Sequence, residues 1–214
     1  MVLLCGGLAV TLALGTRHSF GLFLQPMTMD LGWNRQTFAY ALAIQNLIYG
    51  MAQPFTGMIA DKFGAGRVMA GGAVLYALGL VLMADSTTGW EFGLSAGIIV
   101  GIALSCSGFS IVYGVVGRAF PVEKRSVALG IAGAAGSFGQ FVMLPYGQAL
   151  INRIGWHDAL LTLALTVLLI APLAAALVEK RRYEPAGLHK QSIPEALREA
   201  SRHKCSFRCI SRRI

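Results

Sequence analysis

Two adjacent residues near the middle of the first apolar stretch, Arg17 and His18, carry the chemistry best suited to holding an anion. A guanidinium has a permanent charge and a planar fork of N–H donors that matches a carboxylate. An imidazole adds a charge that depends on pH. Because adjacent helical residues point about 100° apart, we expect Arg17, more than His18, to face a binding cavity. Alternatively, Arg17 bonds backbone carbonyls or a hydroxyl as a structural tie.

Further polar side chains lie deep in other apolar stretches and are candidates for the same site. Ser107, Ser110 and Tyr113 have a spacing that predicts a polar stripe on one helix, and Gln140 lies deep in a later stretch. The serines can instead bond carbonyls of their own helix. Gln140, like Gln45 and Asn46, can instead join two helices.

The apolar stretches contain little that supports an enzyme. They hold no paired carboxylates, metal-ligand cluster or phosphate loop. The nearest approach to the Gly-x-Ser-Gly elbow of an intramembrane serine protease is Ser105-Cys106-Ser107-Gly108, in which a serine replaces the first glycine. We therefore expect no catalytic residue, no bound metal and no cofactor.

The elements that carry these residues are six long apolar runs. The chain is 55% hydrophobic and 13% charged, with a mean hydropathy of +0.61, which excludes an ordinary soluble domain. A membrane-spanning helix needs about 20 apolar residues. We predict an all-α integral membrane protein with six transmembrane helices, at 2–28, 36–60, 68–84, 92–117, 126–151 and 159–178. Arg17 is the one formal charge inside such a run, where a charge is costly and usually functional.

The distribution of basic residues predicts the orientation in the bilayer. Of the 18 Lys and Arg residues, 15 fall in the connections after even-numbered helices or in the tail, and only Arg35 and Arg153 fall on the other side. The positive-inside rule places both termini in the cytoplasm, in a multi-pass protein of the cell (inner or plasma) membrane. The net charge of +8 is therefore a topology feature, and we expect no nucleic-acid partner.

The connection between the second and third helices carries a dense motif, G-M-I-A-D-K-F-G-A-G-R at 57–67. Gly64 and Gly66 predict a tight turn. We expect Asp61 to accept hydrogen bonds from unpaired N–H groups at a helix start. Lys62 and Arg67 are expected to hold the turn at the cytoplasmic face.

This motif resembles the loop signature of the major facilitator superfamily, G-x-x-x-D-[RK]-x-G-x-[RK]-[RK]. The matching positions are Gly57, Asp61, Lys62, Gly64 and Arg67, and Gly66 departs from the signature, which has a base there. The runs R-H-S-F-G-L-F at 17–23 and G-R-A-F-P-V-E-K-R-S-V-A-L-G at 117–130 resemble the monocarboxylate transporters and oxalate/formate antiporters. Some members of that branch have a lysine at the position that we align with His18.

The resemblance, which covers residues 1 to about 204, has implications for fold and activity. It implies an N-terminal six-helix half, made of two inverted three-helix repeats, of a twelve-helix symporter or antiporter. Such a protein moves a small organic anion, here a monocarboxylate, by alternating access, with protons as a candidate coupling ion. It implies that helices 1 and 4 line the cavity. We therefore expect Arg17, His18, Ser110 and Tyr113, together with Gln140, to bind the substrate.

The sequence predicts two regions, a bundle at 1–178 and a basic cytoplasmic tail or linker at 179–214. Ser192 and Glu195 form a capping-box pattern that predicts a short amphipathic helix at about 193–204. The run C-S-F-R-C-I-S-R-R-I at 205–214 does not begin the seventh span that the resemblance implies. We therefore expect a truncated chain that needs a C-terminal half or a second copy. The alternative function is a non-transporting half-protein or a dimerising membrane partner.

Regular glycine spacing predicts where helices approach closely. Gly130, Gly133, Gly136 and Gly139 lie three apart in the fifth predicted helix and form a smooth face for another helix. We expect this face to be exposed to lipid or paired with a second copy.

Overall fold

The structure, a computed structural model, describes residues 2–176, and this part of the chain is entirely helical. The predicted tail and its helix at about 193–204 lie outside the described residues. The elements are α1 (Val2–Asp30), α2 (Arg35–Phe63), α3 (Ala65–Ala84), α4 (Gly89–Phe92), a π-helical segment (Gly93–Ile99), α5 (Val100–Ser107), α6 (Phe109–Ala119), α7 (Val122–Leu168) and α8 (Ile170–Ala176). The all-α class predicted from the sequence is confirmed.

Three helical stretches are long and apolar enough to cross a membrane: Ala65–Ala84, Gly89–Ala119 and Val122–Ala175. The third stretch contains both predicted helices at 126–151 and 159–178. Its backbone is interrupted between them at Gly155, where φ is 82° and ψ is 170°. The remaining helices α1 and α2 have 29 residues each, which corresponds to about 43 Å at 1.5 Å per residue. These stretches indicate a multi-pass membrane protein.

The connection between α2 and α3 is shorter than the sequence predicts. Gly64 alone separates the two helices, with a φ of 96° that favours glycine, and its N–H donates to Ala60 O at 2.8 Å. Gly66 is buried inside α3. The prediction that both glycines form the turn is therefore wrong for Gly66, because one residue of positive φ suffices to reverse the chain.

The predicted helix at 92–117 is not a single regular helix. Its first part is the π-helical segment, in which Ser95 Oγ donates to Glu91 O at 2.9 Å. Its second interruption is Gly108, whose extended backbone (φ −84°, ψ −172°) separates α5 from α6. A Cβ atom at Gly108 would lie 2.8 Å from Leu104 O. The break therefore depends on glycine.

The glycine face of α7 packs against α1 and α6 of the same chain, which corrects the expectation of a face open to lipid or to a second copy. A Cβ at Gly139 would lie 2.4 Å from Thr11 O, and one at Gly136 would lie 2.6 Å from the Phe109 ring. Thr11 Oγ1 donates to Ala135 O at 2.8 Å. Of the four glycines of this face, only Gly130 has open space around it. Spacing predicted the smooth face but not which helix covers it.

Buried polar side chains join the helices elsewhere. Gln45 Nε2 of α2 donates to Ala96 O of the π-helical segment at 2.8 Å. Thr56 Oγ1 donates to Ser105 O at 3.1 Å. In lipid such bonds replace part of the hydrophobic drive that water would supply. They fix α2 beside the broken helix, and this arrangement positions the residues described next.

Candidate anion-binding site

Arg17 lies midway along α1 and is half-buried, with its guanidinium directed at α2. Nη2 donates a hydrogen bond to Asn46 Oδ1. Cζ lies 5.1 Å from the centroid of the Tyr49 ring, within the range of a cation–π contact. Asn46 Nδ2 in turn donates to Leu42 O at 2.8 Å. Two uncharged groups of α2 therefore hold the cation, and neither of them neutralises it.

The depth of Arg17 distinguishes it from the other basic residues in the part of the chain that the structure describes. Those residues lie in the first or last turn of a helix or beside the break at Gly155: Arg35, Lys62, Arg67, Arg118, Lys124, Arg125 and Arg153. Cations there can reach the headgroup region and water. Within residues 2–176, a permanent cation at mid-helix occurs at Arg17 alone.

His18 points in a different direction from Arg17 and is exposed. Its Nδ1 lies 2.8 Å from Leu14 O, and because a carbonyl oxygen only accepts, Nδ1 carries the hydrogen. The structure therefore does not direct Arg17 and His18 at the same point. This agrees with the step of about 100° between adjacent residues of a helix.

Ser110, Tyr113 and Gln140 occupy different environments. Ser110 Oγ is buried and has no hydrogen-bond partner among residues 2–176. Tyr113 is 36% exposed, and its hydroxyl would lie 2.9 Å from a Cβ at Gly133. Gln140 is half-buried on α7. Within the described hydrogen bonds, none of the three is joined to Arg17.

The continuous polar stripe predicted on the fourth helix is not formed. The break at Gly108 separates Ser107, at the end of α5, from Ser110 and Tyr113 on α6. Ser107 is buried and donates to Ala103 O at 2.9 Å, the alternative that the sequence left open. The spacing argument assumed a regular helix, and the glycine break changes the register.

Sequence reasoning missed Tyr49 and considered Asn46 only as a residue that joins helices. Both lie on the face of α2 that meets Arg17, three residues apart, which is the spacing of neighbours on one helix face. The available indication of this site was a tyrosine three residues after an asparagine in an apolar helix. The sequence does not reveal which face of α2 meets α1.

The loop motif forms a different contact from the one predicted. Asp61 lies in the last turn of α2 and accepts a hydrogen bond from Arg118 Nη1, at the end of α6, at 3.1 Å. Its side chain therefore binds a guanidinium and not the N–H groups at the start of α3. Lys62 Nζ lies 5.4 Å from the Phe63 ring centroid. Arg67 is exposed in the first turn of α3, and Gly57 has open space around it.

A second polar cluster lies at the opposite ends of these helices, around the Gly155 break. His157 Nε2 lies 3.3 Å from Asp85 Oδ1, and its Nδ1 lies 3.2 Å from Asp158 Oδ1. The hydrogen bond to Asp158, aided by Asp85, raises the pKa of His157. Trp156 Nε1 donates to Asp30 Oδ2 at 2.9 Å. The cluster joins the ends of α1 and α3 to the break in α7.

Comparison with known proteins agrees with this architecture. The sequence profile of the Major Facilitator Superfamily matches residues 4–212. Mouse monocarboxylate transporter 11 is 28% identical over 170 residues, which are 78% of this chain and 37% of that protein. Rat monocarboxylate transporter 13 is 27% identical over 172 residues, 80% of this chain and 40% of that protein. The uncharacterized MFS-type transporter YcxA of Bacillus subtilis is 27% identical over 170 residues, 79% of this chain and 41% of that protein.

A solved structure shows the same fold. The crystal structure of the peptide transporter POT in complex with alafosfalin superposes with a TM-score of 0.70 at 17% identity, over 98% of this chain and 45% of that chain. The chain thus spans less than half the length of each of these four proteins. Since the family profile covers nearly all of its residues, the chain belongs to the Major Facilitator Superfamily.

Proposed function

We propose that this chain is the N-terminal six-helix half of a transporter that moves a small organic anion, a monocarboxylate, by alternating access. The observation that carries the proposal is Arg17, a permanent cation held at mid-depth by the uncharged groups of Asn46 and Tyr49. An anion that leaves water for the middle of a membrane needs a cation in place of its hydration shell. A guanidinium that keeps its full charge is suited to this task.

The helices support the six-helix half. The stretches are α1, α2, α3, the broken helix from α4 to α6, and the two parts of α7 on either side of Gly155, the second continuing into α8. We propose that they form two inverted repeats of three helices each. A likeness to 45% of the peptide transporter chain is consistent with half of a two-fold repeated fold.

The relatives support the proposed substrate class. Two of them are named monocarboxylate transporters, at 27–28% identity. One carboxylate can pair with one guanidinium through two parallel hydrogen bonds. We therefore propose Arg17 as the principal ligand, with His18, Ser110, Tyr113 and Gln140 as further cavity residues and with Nε2 of His18 as a site for a coupled proton.

Uptake measurements test the proposal. The chain is expressed alone and together with the C-terminal half of a relative, in membranes whose uptake of labelled L-lactate, formate and oxalate is followed. Arg17→Gln should weaken binding by about 10- to 150-fold, because a charge-assisted hydrogen bond contributes about 1.5–3 kcal/mol. Arg17→Lys should restore it only in part, since an ammonium offers no planar fork.

Two controls make the result decisive. Arg35→Gln removes an exposed cation at the start of α2 and should leave uptake unchanged. His18→Gln should alter the pH dependence and leave affinity near normal. Unchanged uptake in Arg17→Gln contradicts the role of Arg17. A folded, inserted wild-type chain that binds no carboxylate in either setting favours the alternative, a non-transporting membrane partner.

A further inference from the structure

Two residues of α2 surround the guanidinium of Arg17 on different sides. Asn46 Oδ1 accepts a hydrogen bond from Nη2 of Arg17, and the centroid of the Tyr49 ring lies 5.1 Å from Cζ. Because an amide oxygen and an aromatic ring are uncharged, the guanidinium is held at its full charge. This differs from an ion pair, in which a carboxylate would already occupy the cation.

Both partners are themselves fixed. Asn46 Nδ2 donates to Leu42 O at 2.8 Å, which determines the direction of its Oδ1. Tyr49 packs against the break at Gly108, where a Cβ would lie 3.2 Å from its hydroxyl oxygen and 3.4 Å from Cε2. Glycine therefore gives the ring the space it occupies. Side chains that are held in this way lose little conformational freedom when a substrate binds.

The hydrogen-bond geometry of the guanidinium determines what else it can bind. A guanidinium has two edges on which two N–H bonds run parallel, and Nη2 contributes one hydrogen to each edge. Asn46 accepts one of these hydrogens. One complete edge is therefore without a partner among residues 2–176. The Tyr49 ring lies 5.1 Å from Cζ and therefore limits the directions from which a substrate can approach the group.

We infer that Asn46 and Tyr49 are positioning residues, which hold Arg17 so that its remaining edge binds one carboxylate. A carboxylate places two oxygens in one plane at the spacing of two parallel N–H donors. The inference rests on the proposed function and deepens it, because it names the residues that hold the guanidinium in place for the carboxylate.

Binding by the full chain in lipid nanodiscs tests the inference. The measured quantity is the affinity for labelled L-lactate. Tyr49→Leu removes the ring and should weaken lactate binding by about 3- to 30-fold. Tyr49→Phe keeps the ring and should stay within about twofold. Tyr40→Leu is the matched control, since Tyr40 lies on the same helix and is 69% exposed.

A second variant adds a readout that a purely structural role would not change. Asn46→Asp places a carboxylate on the guanidinium, where it competes with the substrate. Lactate binding should fall by about tenfold or more at pH 7 in Asn46→Asp, whereas Asn46→Leu, which removes the amide without adding a charge, should lose less. Equal losses in the two variants contradict the assigned contact.

Melting temperatures separate the failure of this inference from the failure of the proposed function. Arg17→Gln and Tyr49→Leu are combined in a double-mutant cycle, and coupling between them reports their contact without any ligand. Coupling together with weakened lactate binding in Tyr49→Leu supports both proposals. Lactate binding that Tyr49→Leu leaves unchanged overturns the positioning role alone. Coupling in a wild-type chain that binds no lactate overturns both and leaves Arg17 as a structural tie.

Discussion

Single side chains contribute differently according to their depth in this protein. Arg17 contacts Asn46 and Tyr49 midway along α1, far from the helix ends. Asp61 and Arg118 pair near helix ends, where their side chains are 67% and 47% exposed. Water and salt screen such a pair. We therefore expect function to depend on the first contact, whereas the second should contribute little to stability.

Asp61→Asn should lower the free energy of unfolding by less than about 1 kcal/mol, because exposed ion pairs are worth about 0–1 kcal/mol. The measurement is thermal unfolding in detergent at low and high salt. The difference in stability between Asp61→Asn and the wild type should shrink as the salt concentration rises. Glu123→Gln, an exposed acid in the first turn of α7, provides the comparison. A loss of several kcal/mol would show that Asp61 has another buried partner.

His157 should make stability depend on pH. Its pKa is raised above the ordinary 6.5, chiefly by the hydrogen bond to Asp158 and also by Asp85. A raised folded-state pKa gives a stabilising contribution that is fully present below pH 6.5 and is lost as the pH rises through the raised value. The melting temperature of the wild type should exceed that of His157→Gln at pH 5.5. The two should converge by pH 9, and a gap that widens with pH would contradict the assignment.

At this scale the sequence identified the cation but not its surroundings. A lone arginine in an apolar run indicated Arg17 directly, because charge at that depth is rare. Tyr49 gave no such indication, since a tyrosine in an apolar helix is common and its partner lies 32 positions away in the chain. Tertiary packing determines that contact, and the sequence pattern of one helix does not contain it.

Among the elements, α1 and the first part of α7 form the closest described approach. Gly15 and Gly139 face each other's helices, and a Cβ at Gly139 would lie 2.6 Å from Thr11 Cα. Ser19 Oγ also bonds Met143 O at 3.0 Å. Since Thr11 meets Ala135 and Ser19 meets Met143, the two helices run in the same direction. Backbone contact of this kind leaves no room for a side chain.

Gly139→Ala should destabilise the bundle by about 1–3 kcal/mol or more, because the new methyl group meets backbone atoms that cannot move aside. The melting temperature in detergent and the yield of monodisperse protein measure the effect. Gly130→Ala, on the same helix with open space around it, should be neutral or slightly stabilising. Equal effects at the two positions would show that α1 does not approach α7 as described.

The sequence predicted most helix boundaries to within a few residues, because charges and glycines mark the ends of apolar runs. It did not predict the π-helical segment or the break at Gly108, since a glycine within an apolar run is equally compatible with a regular helix. It also assigned the glycine face of α7 to lipid or a second copy. A stripe of small residues specifies close packing but leaves its partner open.

For the whole molecule, the distribution of charge corresponds to the two ends of the helices. Asp61, Lys62, Arg67 and Arg118 gather at one end, and Asp30, Asp85, His157 and Asp158 gather at the other. By the positive-inside rule, the end that carries Lys62, Arg67 and Arg118 is expected at the cytoplasmic face. The exposed apolar residues of α2 between them, such as Leu47, Met51 and Phe55, then face hydrocarbon or another helix.

Reporter fusions after Ser86 and after Ser126 should report opposite sides of the membrane. Ser86 follows α3 at the acidic end, and Ser126 lies near the start of α7 at the basic end. Alkaline phosphatase should be active at the first position and green fluorescent protein at the second. A fusion after Gly64 is the internal control and should agree with Ser126. The same side at Ser86 and Ser126 would refute the orientation.

The break at Gly108 divides one long helix into two segments, α5 and α6, that meet at a single extended residue. The extended backbone at this residue interrupts the helix, so that a change in the direction of α6 need not change that of α5. The hydroxyl of Tyr49 lies against Gly108, and its ring lies beneath the Arg17 guanidinium. α6 ends at the contact between Arg118 and Asp61. A movement of α6 would therefore displace the Tyr49 ring that lies under the Arg17 guanidinium.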